Sequence, residues 1–221
     1  MLKKDPSKLW FGTVVPGTMS KGGGNGPHHP SQLYAIKKYV KKGSTFLDIG
    51  IGAASTYEAL EEEKFNLKYT GVDMIPAHVE WAKSQHPEAD FRVDDGENLS
   101  FEDKSFDVVY SRHVVDHMPS FEKALDEHCR IAKKLVIVIL WVPFNDRDEH
   151  DIKPIIDGPL DNRITYEQEF TNQYSRSKAK KYLHDKVHEG WKLLEFTEEF
   201  TDGKYKGSAD HDIIIVLERE R

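Results

Sequence analysis

The feature that most constrains this chain is a turn, Asp48-Ile49-Gly50-Ile51-Gly52. It follows the apolar residues Phe46 and Leu47 and runs into a helical pattern. Two closely spaced glycines after a strand permit a tight reversal and leave bare backbone for a ligand to approach. Position 55 is Ser, so the third glycine of the dinucleotide fingerprint is missing. That third glycine serves close helix–strand packing around a bound pyrophosphate. The turn alone therefore does not name its ligand.

Around this turn the pattern alternates. Strands are expected at 45–49, 67–72, 90–93, 106–110 and 134–140. Helices are expected from Ser31 to Gly43 and at 53–64, 77–85 and 120–131. In the first helix Leu33, Ile36 and Val40 share one face. The run 134–140 carries the apolar residues Leu135 to Leu140, as a strand covered on both faces requires. Strand–helix alternation of this kind predicts an α/β doubly wound, mainly parallel sheet. A late helix at 176–188 and two terminal strands, 192–196 and 212–217, predict an antiparallel C-terminal strand pair.

Three carboxylates fall where the strands end. Asp48 precedes the glycines. Asp73 closes the second strand, followed by Met74. Asp94 and Asp95 follow the third strand and precede Gly96. Open α/β sheets bind ligands at the carboxyl ends of their strands. An acid at the second position can accept from ribose hydroxyls, and one at the third from an adenine amine. The spacing to Leu99 favours Asp95 over Asp94.

The residues 45–140 resemble the class I S-adenosylmethionine-dependent methyltransferases, in particular their small-molecule branch. The resemblance is carried by Asp48-x-Gly50-x-Gly52, Gly71-Val72-Asp73 and Asp95-Gly96-Glu97-Asn98-Leu99. It continues through Ser105-Phe106-Asp107-Val108-Val109, the stretch Ser111 to Met118, and Ala124-Leu125-Asp126-Glu127-x-x-Arg130. One departure is Ile131-Ala132-Lys133-Lys134, which stands where the family has a Leu-x-Pro-Gly-Gly turn. The resemblance implies a Rossmann-like, seven-stranded sheet and S-adenosyl-L-methionine as cofactor, with S-adenosyl-L-homocysteine as product. It implies a cofactor site of Asp48, Gly50, Gly52, Asp73, Met74, Asp95, Gly96 and Ser111. The expected activity is methyl transfer to an O or N atom of a small soluble metabolite, a sugar or an acid among the candidates.

His113 and His117 follow the fourth strand and are candidate bases for removing the acceptor's proton. His28 and His29 follow the glycine-rich segment 22–26. They suggest a flexible lid at 1–30 ahead of a single domain at 31–221, with His29 as a catalytic candidate and His28 as a substrate contact. Residues 141–175 contain Pro143, Pro154, Gly158 and Pro159 and are long for a connection. They are read as a substrate cap, with Tyr174 touching the acceptor. The acidic run 145–151 could hold a hard cation only if its ligands converged. No metal ligand is assigned.

Composition bounds the alternatives. The net charge is -7, yet residues 1–44 hold eight lysines and one acid. That arm is read as a solvated lysine face, or as a hold on an anionic substrate. An RNA or tRNA methyltransferase using this arm, with Arg176, Lys178, Lys180 and Lys181, is one alternative. The acidic total argues against a nucleic-acid partner. A non-catalytic cofactor-binding protein is the other. No apolar run spans a bilayer, Cys129 is the sole cysteine, and no signal-peptide pattern opens the chain, so a cytoplasmic protein without a membrane partner is expected. The sequence sets no oligomeric state.

Overall fold

The computed structural model describes residues 30–118, 120–140, 151–155, 169–200 and 212–220. Helix α1 is Pro30–Tyr39. It is followed by β1 (Thr45–Ile49), α2 (Ser55–Glu62), β2 (Lys68–Asp73), α3 (Pro76–Gln85), β3 (Asp90–Val93) and β4 (Phe106–Arg112). A 3₁₀ turn, Val115–His117, leads to α4 (Phe121–Ile131), β5 (Ala132–Leu140), β6 (Asp151–Ile155), β7 (Glu169–Gln173), α5 (Arg176–His188), β8 (Trp191–Phe200) and β9 (Asp212–Arg219).

Seven strands form one sheet in the order β3-β2-β1-β4-β5-β9-β8. The first five run parallel, and β9 is antiparallel to both β5 and β8. The expected doubly wound sheet with an antiparallel C-terminal pair is what forms. The chain winds outward from β1 to β3, then returns to β4 on the other side of β1. This switch point, between β1 and β4, is where a sheet of this kind opens a crevice.

Strand alternation divides the core. Leu47, Ile49, Val109, Val136 and Val138 face α4 and α5, packing with Phe121, Leu125 and Leu183. Phe46, Val108, Tyr110, Ile137 and Ile139 face the other way, against Ile36, Val40 and Leu60 of α1 and α2. Side chains as fully buried as Phe121 and Leu125 each contribute roughly 1.5–3 kcal/mol.

Several element ends differ from expectation for local reasons. Helix α2 begins at Ser55, not at 53, because Ala54 takes a left-handed φ of 58°. Strand β4 runs on to Arg112 and stops where His113 turns left-handed, at φ 55°. The missing Pro-Gly-Gly turn has a substitute. Helix α4 ends at Ile131 and β5 starts at the next residue. Arg219 reaches back from β9 and donates Nη2 to the carbonyls of Cys129 (2.6 Å) and Ala132 (3.1 Å). A cation there satisfies orphaned carbonyls and complements the helix dipole. Its guanidinium also lies over Trp191, 4.2 Å from the ring centre.

Within the expected cap, β6 and β7 pair antiparallel as a separate two-stranded sheet. His28, His29 and the remaining residues of 1–29 lie outside the described residues. So does most of the acidic run 145–151. On α1 the lysines turn to the protein's own acids: Lys37 pairs with Glu63 at 2.9 Å and Lys38 with Glu195 at 3.0 Å. No helix among the described residues is long and apolar enough to cross a membrane.

Candidate active site

The end of β1 builds the turn. Gly50 has φ 74° and Gly52 φ 49°, a region that L residues enter at a cost. The N–H groups of Gly50 and Ile51 both donate to the Val72 carbonyl, at 2.7 and 3.1 Å. A Cβ on Gly50 would stand 2.2 Å from Cγ2 of Val114. The segment after β4 therefore lies directly on the glycine turn, and only a hydrogen at position 50 allows it.

Asp73 ends β2 beside that turn. Its Oδ2 accepts from the Gly52 N–H (2.9 Å) and lies 3.1 Å from Nδ1 of His78. Its Oδ1 accepts from the Ile75 N–H (2.9 Å). Two carboxylate oxygens offer about four acceptor positions. The carboxylate is thus braced against the turn without using every acceptor position. Met74, next in the chain, leaves 37% of its surface exposed, unusual for so apolar a side chain.

The loop after β3 separates the two adjacent acids. Asp94 is spent on the loop itself: its carboxylate accepts from the N–H of Asp95 and from the N–H and hydroxyl of Ser100. Asp95 is exposed and accepts from the Glu97 N–H (2.9 Å). Gly96 sits beneath it, where a Cβ would be 2.6 Å from Cε of Met118 and 2.9 Å from Cγ2 of Ile49. Helix α4 holds the far side of this loop. Glu127 accepts the Leu99 N–H (2.7 Å), while Arg130 donates to the Leu99 and Phe101 carbonyls (3.0 Å each) and pairs with Glu127 at 2.6 Å and Asp103 at 2.7 Å. The sequence marked Glu127 and Arg130 only as part of a family pattern. Their work is to fix the loop that carries Asp95.

Asp48 points to the α1–α2 face. It is buried, and burial pushes its carboxyl up to about 7. The Tyr69 hydroxyl, which donates to Oδ2 at 2.7 Å, opposes that rise, and the nearby charge of Asp73 adds to it. Asp48 is therefore an interior group under the turn, not one open on the cleft.

Two expected contacts move elsewhere. Ser111 is fully buried, and its hydroxyl lies 3.0 Å from Nε2 of His128. Burial pulls that imidazole down to about 4, which leaves it neutral. Ser111 thus ties β4 to α4, in place of the cofactor contact expected. Tyr174 is buried as well, its ring tilted against Phe121, with its hydroxyl donating to the carbonyls of Val115 (2.5 Å) and Met118 (2.7 Å). It pins the 3₁₀ turn to the core, in place of the acceptor contact expected.

His117 lies half-buried in that 3₁₀ turn. His113 is better defined. Its N–H donates to the Ile139 carbonyl (2.8 Å), and its Nε2 lies 2.9 Å from Oδ1 of Asp212, the first residue of β9. Asp212 is fully buried. It also accepts the Ser31 hydroxyl from α1 and stands 4.0 Å from Nε of Arg112. A pairing between residues 99 positions apart has no local signature. Among the described residues no group of three or more potential ligands gathers around a metal-sized site. Several basic residues of α5 face the protein's own acids: Arg176 and Lys180 share Glu198, and Lys181 pairs with Asp185.

Comparison with known proteins bears on the same stretch. Residues 47–140 match a family model described as a methyltransferase domain. The 2-methyl-6-phytyl-1,4-hydroquinone methyltransferase of Synechocystis sp. is 33% identical over 130 residues, which is 54% of this chain and 40% of that protein. Phosphoethanolamine N-methyltransferase 2 of Caenorhabditis elegans is 34% identical over 114 residues, 48% of this chain and 25% of that protein. The chain thus spans less than half the length of these two curated relatives. A crystal structure described as a SAM-dependent methyltransferase from Methanosarcina mazei superposes with a TM-score of 0.63 at 16% identity, covering 84% of this chain and 96% of that one. At that identity it attests the fold.

Proposed function

We propose that this chain, whose residues 47–140 match a family model described as a methyltransferase domain, is a class I S-adenosylmethionine-dependent methyltransferase that transfers the methyl group to an O or N atom of a small, soluble acceptor. The observation that carries the reading is the convergence of three features on one sheet edge: a glycine turn, the braced carboxylate of Asp73 and the exposed carboxylate of Asp95. These donors and acceptors suit an adenosyl group. Asp73 would accept from the ribose hydroxyls, Asp95 from the adenine amine, and Met74 would cover the ring. Gly50 and Gly52 would let backbone approach the sulfur end, and Gly96 lets the adenine loop close on β1. Asp48 would act from beneath, on the underside of the glycine turn.

When bound, the cofactor supplies an electrophilic methyl carbon on a sulfonium. The chain's own part is to align the acceptor and take its proton. His113 and His117 stand on the segment that covers Gly50, which suits either to that step. The relatives act, by their names, on a hydroquinone and on phosphoethanolamine. That range supports a small acceptor and leaves its identity to residues 1–30, with His28 and His29, and to the cap at 141–175.

The test has two arms. Calorimetry of the full chain with S-adenosylmethionine is expected to give saturable binding. Incubation with methyl-labelled cofactor and a panel of hydroquinones, phenols, sugars and phosphoethanolamine is expected to label one class. Absence of binding by folded protein would remove the whole reading. Binding without any transfer would favour a non-catalytic cofactor-binding protein.

A further inference from the structure

Asp212 is a fully buried carboxylate at the first residue of β9. A fully buried carboxylate costs several kcal/mol unless it is paired and hydrogen-bonded. It opens β9, whose inner residues Ile213 to Leu217 are uniformly apolar and buried. Three groups from two other elements converge on it: the Ser31 hydroxyl from the start of α1, and the Arg112 guanidinium and His113 imidazole from the end of β4. Of these, His113 is the most exposed, with 30% of its side chain open to solvent against 15% for Arg112.

The backbone of His113 carries strain as well. A φ of 55° is unfavourable for a residue with a side chain. The conformation is held from both sides, by the N–H to the Ile139 carbonyl and by the ring to Asp212. Strain kept by a buried carboxylate, at the residue before the Val114 that covers Gly50, points to a geometry required for something other than folding. An ionised carboxylate only accepts, so the ring nitrogen facing it must carry the hydrogen. That assigns the hydrogen to Nε2 and the basic lone pair to Nδ1.

We propose that Asp212 is the positioning residue for His113. It holds the imidazole as the Nε2–H tautomer, so that Nδ1 takes the acceptor's proton during methyl transfer, and Ser31 fixes the carboxylate in turn. This rests on the methyltransferase reading above. In the step itself the acceptor's O–H or N–H bond breaks and its proton passes to Nδ1. The acceptor's electron pair forms the new bond to the methyl carbon. The carbon–sulfur bond breaks, and its electrons stay on sulfur, which becomes a neutral thioether. The imidazolium, stabilised by Asp212, then releases its proton to water. Asp212 makes no contact with the reacting atoms.

The experiment uses the full chain and two readouts. The first is the proton spectrum of the ligand-free protein. A carboxylate-bonded Nε2–H of His113 is expected as a low-field resonance, lost in both His113→Gln and Asp212→Asn. Its absence from the wild type overturns the pairing, whatever the variants do. The second readout is turnover with the acceptor class that the labelled panel returns. In His113→Gln and Asp212→Asn, kcat is expected to fall by about 100-fold or more, with the KM for acceptor and the affinity for S-adenosylmethionine near wild type. The double variant is expected to lose little further, because the two residues act as one unit. Ser31→Ala, which leaves Asp212 in place, is expected to show a smaller loss of the same kind. Wild-type turnover in His113→Gln, or fully additive losses, would overturn the inference and leave the methyltransferase reading standing. Loss of cofactor binding by the wild type would instead end that reading first.

Discussion

Two aspartates on neighbouring strands, at opposite ends of the sheet, have opposite fates. Asp107 lies near the start of β4. Burial tends to raise its carboxyl, but Lys134 at 2.8 Å and the N–H and hydroxyl of Thr45 outweigh burial and bring it down to about 2. Thr45 also takes the Asp107 N–H on its own hydroxyl (2.7 Å), so the start of β1 is tied to β4 twice over. Asp48 ends β1. Burial, with a second acid nearby, takes it up to about 7 against the opposing Tyr69 hydroxyl, the charge of Arg112 and the hydroxyl of Thr56. At the starting edge of the sheet the polar groups are arranged for stability. Near the finishing edge Asp48 is held against stability, buried beneath the glycine turn.

The largest effect that could break this contrast is Gly50→Ala. The new Cβ would meet Val114 at 2.2 Å, and φ 74° adds backbone strain. Together these are expected to cost about 3 kcal/mol in urea unfolding. Adding Val114→Ala is expected to recover the steric part and leave about 1 kcal/mol. A neutral single variant would mean that the turn is not closely packed. Asp73→Asn comes next, with cofactor affinity expected to fall about 100-fold by calorimetry, since charge-assisted hydrogen bonds are worth roughly 1.5–3 kcal/mol each. An unchanged affinity would separate Asp73 from the ribose.

Asp48 and Asp107 should then respond to pH with opposite sign. The raised carboxyl of Asp48 makes the folded chain bind more protons than the unfolded chain between about pH 4 and pH 7, so stability falls as pH rises through that window. Asp48→Asn is expected to remove that fall and to raise stability at about pH 8 by roughly 2 kcal/mol. The lowered carboxyl of Asp107 contributes stability above its unfolded value, and that is lost as pH drops from about 4 to about 2. Asp107→Asn is expected to cost about 1 kcal/mol at neutral pH. Thermal melts across pH would show either sign reversed. The smallest effect is that of Lys134→Ala. This lysine is two-thirds exposed, and its loss is expected to cost about 0.5 kcal/mol, leaving Thr45 as the main support of Asp107.

Much of the finishing edge was legible because it is local in sequence. A strand, a turn and a helix follow one another through Asp48, Gly50 and Gly52, and Asp73 needs only the end of the next strand. Side-chain direction was not legible. Asp48 belongs to the alternation of β1 and so faces α2. Ser111 belongs to that of β4 and so faces His128, and Tyr174 packs under the 3₁₀ turn. The choice of Asp95 over Asp94, by contrast, was legible in the spacing to Leu99, and Ser100 folding back onto Asp94 supplies its reason.

The sequence by itself determined the order of strands and helices in the seven-stranded sheet, the parallel winding and the glycine turn, but not the β6–β7 pair. Each follows from hydrophobic period and backbone freedom within a few residues. Tertiary structure alone decided the partners: Asp212 for His113, Arg219 for the end of α4, Val114 for the bare face of Gly50. Each of these joins residues that are distant along the chain. Only the closed sheet sets their distances, and the desolvation that gives those contacts their energy exists only once the core has formed.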